Sequence, residues 1–369
     1  MLLWGVNPNN GSAWLFVAGA ILLALAAVVA MGDRQAEGAS MPCSPARPHA
    51  SGDTNETITS GSLQRQYILH VPASYTGGKA VPLLFNLHGY GSSASAQAFY
   101  SGLPQKADEA GFILVSPQGT GAAAHWNFTL LEPVDDVGFM RDVLDALEAQ
   151  LCIDPARVYS TGISNGAAMS VRLGCNLSDR IVAIAPVAGV YFPLSCPSAQ
   201  PVPVIAFHGT ADPILPYNGG ISPQGFPFAP VETSFASWGQ FNGCLSGPVE
   251  SPATQNVRAK RYGDCNEAAS VELYIIDGGG HTWPDAVIDL PVETYGATTH
   301  EISANDLMWE FFGQLGRGGV GGIAGPPQAG GSPGGVGGIT GVWLLAAGAA
   351  VVLAGAAAAV GLARSRQRR

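Results

Sequence analysis

Gly162-Ile163-Ser164-Asn165-Gly166 follows the apolar, β-branched run Val158-Tyr159-Ser160-Thr161 and precedes a helix-forming stretch, Ala167 to Leu173. A strand that turns sharply into a helix, with a serine at the turn, lifts that hydroxyl to the carboxyl edge of a sheet. The flanking glycines tolerate the strained backbone such a turn needs. The same string recurs at Gly330-Gly331-Ser332-Pro333-Gly334, in a stretch whose composition supports neither strand nor helix. Context therefore selects Ser164 as the candidate nucleophile.

A serine hydroxyl becomes nucleophilic only when a base takes its proton, and that base needs a third group to orient it. Pro203-Val204-Ile205-Ala206-Phe207 reads as a buried strand opening into His208-Gly209-Thr210-Ala211-Asp212-Pro213, which makes Asp212 the candidate acid. Val271-Glu272-Leu273-Tyr274-Ile275-Ile276 reads as the next strand and runs into Asp277-Gly278-Gly279-Gly280-His281, so His281 is the candidate base. Taken singly these are a turn aspartate and a surface histidine; it is the order Ser, Asp, His, each at a strand end, that argues for a triad. The oxyanion of a tetrahedral intermediate needs N–H donors. One is expected from Asn165, just after the nucleophile. The second is expected from Tyr90, in the loop His88-Gly89-Tyr90-Gly91 that ends the apolar run Val81 to Leu87. His88 itself reads as structural, holding this loop. No Cys/His spacing or carboxylate cluster suggests a metal, and no cofactor is expected.

Apolar runs at about 66–71, 82–87, 112–116, 157–161, 181–188, 202–207 and 271–276 alternate with helical stretches, which predicts an α/β fold: a mostly parallel sheet with helices on both faces. The helix at 136–151 begins at Asp135-Asp136, whose carboxylates are placed to cap it. Val137, Met140, Val143, Leu144 and Leu147 recur at helical spacing and belong to the core. A last helix at 304–314 closes the domain. Only 12% of the 369 residues are charged and the net charge is −10, which excludes nucleic-acid binding.

The flanks differ from this core. Residues 1–31 hold an uncharged apolar stretch that reads as a signal peptide or N-terminal anchor, followed by a polar linker at 32–60. The domain proper spans 61–315. Residues 316–340 form a Gly/Pro-rich linker, residues 341–363 an apolar transmembrane helix, and residues 364–369 a basic tail expected in the cytoplasm. This pattern also resembles bacterial C-terminal sorting signals. Either way the domain lies outside the cell or on its surface, partnered with the membrane through its terminal helices. Asn55-Glu56-Thr57, Asn127-Phe128-Thr129 and Asn176-Leu177-Ser178 match the glycosylation sequon.

Five segments together resemble one known group: Leu87-His88-Gly89-Tyr90-Gly91, Val134-Asp135-Asp136-Val137-Gly138-Phe139, Ser160-Thr161-Gly162-Ile163-Ser164-Asn165-Gly166, His208-Gly209-Thr210-Ala211-Asp212 and Gly280-His281-Thr282-Trp283-Pro284. This is the esterase group that holds feruloyl esterases, acetylxylan esterases and polyhydroxybutyrate-depolymerase-like hydrolases. The resemblance covers about residues 60–315. It implies an α/β-hydrolase fold, a triad of Ser164, Asp212 and His281, and oxyanion donors at Tyr90 and Asn165. The polymer-binding module of many polyester depolymerases is not visible, which favours feruloyl or acetyl esters of plant polysaccharide as substrate. A short-chain polyester hydrolase is the alternative enzyme; a non-catalytic, surface-displayed binding domain is the alternative of another class.

Placed in that fold, the six cysteines of an exported chain are expected in disulfides. Cys152 and Cys175 flank the nucleophile unit at one edge of the sheet and are paired on that ground. Cys244 and Cys265 would close a loop between acid and base, leaving Cys43 with Cys196. Trp126 and Trp283 fall on loops at the carboxyl edge, where their faces would stack a phenolic acyl group or a sugar; the alternative is that both are packing residues.

Overall fold

The computed structural model describes residues 42–198 and 200–315. The expectations for 1–31, 316–340, 341–363 and 364–369 lie outside these residues. Among the described residues no helix is long and apolar enough to cross a membrane.

The described residues form twelve strands: β1 (Gly52–Ser60), β2 (Leu63–Val71), β3 (Val81–Leu87), β4 (Ile113–Pro117), β5 (Ile153–Ile163), β6 (Ala183–Val187), β7 (Val204–Gly209), β8 (Gly220–Ile221), β9 (Pro227–Phe228), β10 (Ser246–Pro252), β11 (Val257–Gly263) and β12 (Val271–Ile276). Ten of them make one sheet in the order β1-β2-β4-β3-β5-β6-β7-β12-β11-β10, while β8 and β9 form a separate hairpin. The six central strands, β4 through β12, pair parallel; β1–β2 and β10–β11 are antiparallel additions at the two edges.

The central strands are apolar at nearly every position because both faces are covered. Leu83, Phe85 and Leu87 of β3 point into one layer and Leu84 into the other, the two-residue alternation of a strand. The first layer is covered by α3 (Asp136–Gln150), α4 (Asn165–Asn176) and α5 (Val231–Phe241). The second is covered by α1 (Ala94–Ser101), α2 (Leu103–Ala110) and α7 (Ala304–Leu315). A one-turn helix, α6 (Val292–Tyr295), lies between β12 and α7. Val137, Met140, Val143, Leu144 and Leu147 of α3 are all buried in the first layer. This is the α/β-hydrolase architecture.

Four expectations need correction here. The linker assigned to 32–60 ends early, because Gly52–Ser60 is strand β1. Its side chains alternate half-buried and exposed, and an edge strand of Asp, Thr, Asn and Glu carries no apolar signal. The cap of α3 is Asp135, which accepts the Gly138 N–H at 2.8 Å. Asp136 is instead buried, ion-paired to Arg65 at 2.6 Å and accepting the Asn127 N–H at 2.8 Å. The pairing Cys152–Cys175 is wrong, and with it Cys43–Cys196: the bonds are Cys43–Cys152, Cys175–Cys196 and Cys244–Cys265. Pro42 bridges Lys79 and the Cys43 N–H reaches Gly78 O, so the supposed linker runs beside the start of β5 and meets Cys152. Arg172 of α4 donates to Ser195 O at 3.1 Å, bringing Cys196 to Cys175 at the helix end. Cys244–Cys265 staples the base of the β10–β11 hairpin, beside the backbone bond from Leu245 N to Asp264 O.

Candidate active site

The turn between β5 and α4 places Ser164 at φ 59°, ψ −120°. A non-glycine residue there carries strain of order 1–3 kcal/mol, held by its surroundings. What holds it is close backbone packing. A Cβ on Gly166 would stand 2.2 Å from Leu87 O and 2.6 Å from His88 O, and one on Gly162 would stand 2.6 Å from Leu87 O. Both glycines are required because the end of β3 lies directly against the elbow. The Ser164 N–H donates to Val187 O and its carbonyl accepts from Ala168 N, so the residue starts α4 while still tied to β6.

β7 and β12 are parallel neighbours, and the loops that leave them touch. A Cβ on Gly209 would stand 2.1 Å from Gly279 O, and one on Gly280 2.1 Å from Tyr295 O, so these glycines permit the contact. The loops bring Asp212 Oδ2 to 2.7 Å from His281 Nδ1, with both side chains buried. Asp212 Oδ1 accepts the N–H groups of Ile214 and Leu215, each at 2.8 Å, and His208 Nε2 lies 3.4 Å from Oδ2. Burial raises the Asp212 carboxyl, but the hydrogen bonds and charge of His208 and His281 outweigh it and hold the group well below the usual carboxylate range. With Nδ1 engaged by Asp212, Nε2 is the ring nitrogen left open for proton transfer. No hydrogen bond joins Ser164 Oγ to His281 among the described residues. His208, which also reaches Leu215 O at 2.9 Å, is a partner of Asp212 that the sequence reading left unassigned, although its own motif contains it.

His88 is buried and holds the loop after β3. Its Nδ1 donates to Gly89 O at 2.8 Å and its Nε2 accepts the Gly119 N–H at 2.9 Å, the pattern of a neutral ring. Burial lowers its pKa to about 4, so it stays neutral through the physiological range. Tyr90, Ser164 and Asn165 line one cleft with Phe128, Ala168, Leu215, Ser222, Gln224, Phe226 and Phe228. Within the described chain the backbone N–H groups of Tyr90 and Asn165 donate to no acceptor.

Trp126 and Trp283 do not line this cleft. Trp126 is 1% exposed and gives its indole N–H to His88 O at 2.9 Å; Trp283 is fully buried and bonds Asn305 Oδ1 at 3.1 Å. The expectation that they bind substrate is corrected: their polar ends are used inside the protein. The aromatic wall is made instead by Phe128, beside Phe226 at 5.4 Å between ring centroids, and by Phe228. Phe226 and Phe228 come from the β8–β9 hairpin region, an insertion with no motif of its own. The sequon at Asn127 is also accounted for structurally. Its side chain is buried, with Nδ2 donating to Glu132 O and Val134 O, each at 2.8 Å. Among the described residues no group of His, Cys, Asp or Glu side chains gathers as a metal site would.

No family model matches the sequence. Feruloyl esterase B of Piromyces equi is 35% identical over 236 residues, covering 60% of this chain, and the chain spans 43% of that longer protein. Feruloyl esterase C of Emericella nidulans is 30% identical over 268 residues, covering 69% of this chain and 87% of that one. Among solved structures, an acetyl xylan esterase from Aspergillus awamori superposes with a TM-score of 0.52 at 13% identity, covering 70% of this chain and 99% of the other, a likeness of fold. With β-strand ends that carry Ser164, Asp212 and His281 to one edge, and with these relatives, the chain belongs to the feruloyl esterase-like family of carboxylic ester hydrolases.

Proposed function

We propose that the protein is an exported serine esterase acting on feruloyl or acetyl esters of plant-type polysaccharide through an acyl-enzyme. The observation that carries this reading is the meeting at one sheet edge of Ser164 on its strained turn, the Asp212–His281 pair, and two unpartnered N–H groups beside an aromatic wall. His281 takes the Ser164 proton as the serine oxygen bonds to the ester carbonyl carbon; the serine–histidine hydrogen bond forms as substrate settles. The N–H groups of Tyr90 and Asn165 hold the oxyanion, and His281 then protonates the departing alcohol. Water, deprotonated by the same ring, releases the acid and restores Ser164. Asp212 stays ionised and fixes the imidazole tautomer. Phe128, Phe226 and Phe228 offer apolar faces for a flat phenolic acyl group.

Three disulfides among the described residues support an oxidising compartment and hence export. Tethering through 341–363 belongs to this proposal and is tested by asking whether the protein partitions with membranes or with the medium. For the activity, the purified protein is assayed on methyl ferulate, acetylated xylan, p-nitrophenyl acetate and a hydroxybutyrate oligomer, with Ser164→Ala as control. Turnover of methyl ferulate or acetylated xylan, lost by roughly 10⁶-fold in the control, is expected. Turnover of the hydroxybutyrate oligomer alone moves the assignment to polyester hydrolysis. Turnover of none leaves a displayed binding domain, and an active alanine variant overturns the triad.

A further inference from the structure

The residue after a nucleophilic serine contributes its backbone N–H to the oxyanion, and that role places no demand on its side chain. Asn165 is nevertheless an amide at the first position of α4, where it makes no capping bond. Its carboxamide is used elsewhere. Oδ1 accepts the Trp126 N–H at 2.7 Å and Nδ2 donates to Trp126 O at 3.1 Å, so one side chain pairs with both backbone groups of a single residue.

Trp126 is placed to pass this on. Its indole N–H reaches His88 O at 2.9 Å, and its ring lies 4.9 Å from the His88 ring. His88 immediately precedes Gly89 and Tyr90. The segment that carries Trp126, residues 120–127, forms a strap that also holds the loop from its other side, since Gly91 N donates to Ala124 O at 2.8 Å. The strap is itself anchored: His125 and Thr120 exchange backbone bonds, and Asn127 N donates to the buried Asp136 carboxylate at 2.8 Å. The β3–β5 ladder ties the elbow to the end of β3 as far as Leu87 and Gly162, and the contact of Gly166 with Leu87 and His88 sets their nearest approach. Beyond the ladder, the path Asn165–Trp126–His88 links the residue after the nucleophile to the loop that carries Tyr90.

We propose that the Asn165 side chain is a positioning residue that fixes the spacing between the two oxyanion donors, its own N–H and that of Tyr90, by clamping Trp126. This rests on Ser164 being the nucleophile. Misplacing a donor rather than deleting it weakens transition-state stabilisation while leaving ground-state binding in place.

The test compares Asn165→Leu, Asn165→Asp and Trp126→Phe with the wild-type protein on p-nitrophenyl acetate. Asn165→Asp keeps an acceptor for the Trp126 N–H but loses the donor to its carbonyl; Trp126→Phe deletes the bond to His88 O together with part of the buried ring that packs on His88. Each is expected to lower kcat about 10- to 100-fold with KM within about threefold, below the 10²–10³ of losing a donor outright. A trifluoromethyl ketone, whose adduct on serine carries an oxyanion, loses affinity in step with kcat, while binding of the free acid product does not change. Because both residues act through one path, Asn165→Asp with Trp126→Phe loses no more than about threefold beyond the worse single variant. Single variants with kcat within threefold of wild type, an unchanged adduct affinity, or multiplicative losses in the double variant would each overturn the proposal. If Asn165→Leu does not fold, the other two carry the test. An inactive Ser164→Ala beside unimpaired Asn165 and Trp126 variants removes this proposal alone; an active Ser164→Ala removes the nucleophile reading beneath it.

Discussion

Asp136→Ala takes one partner from a buried ion pair. Arg65 is 3% and Asp136 1% exposed; Arg65 Nη2 lies 2.6 Å from Oδ1, while Oδ2 accepts the Asn127 N–H. The guanidinium also sits 4.0 Å over the Phe139 ring, so it has no route to water without opening the layer. Stranding that charge costs about 3–5 kcal/mol. The orphaned Asn127 N–H adds about 1–3 kcal/mol. A loss of about 5 kcal/mol is a large share of the 5–15 kcal/mol of a typical domain. With a urea slope of about 3 kcal/mol/M, the midpoint falls by about 1.7 M. Burial raises the Asp136 carboxyl pKa despite the opposing hydrogen bond from Asn127 and charge of Arg65, so the site favours the ionised form less than water does. Removing both charges together is accordingly much milder. Arg65→Met with Asp136→Asn, which keeps an acceptor for Asn127, is expected to lose only about 1–2 kcal/mol. The assay is urea unfolding followed by tryptophan fluorescence, with the disulfides intact. The reasoning is refuted if Asp136→Ala lies within 1.5 kcal/mol of wild type by the same estimate, or if the double variant is no better than the single.

Gly166→Ala should lower kcat by about 10²-fold or more, because its Cβ can be accommodated only by moving the elbow from Leu87 and His88. Gly313→Ala on α7, where a Cβ meets nothing, should be neutral or slightly stabilising; equal behaviour of the two would count against the steric argument. Replacing Cys43 and Cys152 by serine removes a loop of 109 residues, and replacing Cys175 and Cys196 one of 21. Chain entropy gives about 4.8 and 3.3 kcal/mol, so the first pair should cost about 1.5 kcal/mol more in urea unfolding. The reverse order would exclude loop entropy as the dominant effect. His88 has a folded pKa of about 4, below its unfolded value of 6.5. The unfolded chain therefore binds a proton that the folded one refuses, and stability falls as pH drops from about 6.5 to 4, by up to ~3 kcal/mol. His88→Gln should flatten that slope by one proton; identical slopes would show that another group governs it.

The central strands were legible because burial on both faces makes each an unbroken apolar run, and the residues that follow three of them form the candidate triad. Asp212 and His281, read from separate strand ends, come within 2.7 Å of each other. Strand β1 was not legible, because an edge strand with one half-buried face can be built from Thr, Asn, Asp and Glu. Cys244–Cys265 was legible as the closure of one loop, whereas Cys43–Cys152 and Cys175–Cys196 join segments brought together only by the fold, which no local pattern records. Trp126 and Trp283 stand beside catalytic motifs in sequence, yet their indole N–H groups point into the protein and hold loops. The aromatic wall of the cleft could not be read at all, since Phe226 and Phe228 reach it from a short hairpin inserted between β7 and α5.

The domain has two poles, and its described chain ends share one of them. Residue 42 pairs with Lys79 ahead of β3, and Cys43 is bonded to Cys152 ahead of β5. Helix α7 begins beside Pro284, just past His281, and descends the sheet until Trp309 stacks on Phe112 at the foot of β4. Residue 315 is thus delivered to the same foot, with the thickness of the sheet between it and the cleft. Residues 42 and 315 are therefore both points of attachment on the edge of the sheet away from the cleft. A label or linker joined directly to either point leaves the residues that line the cleft uncovered by the join itself.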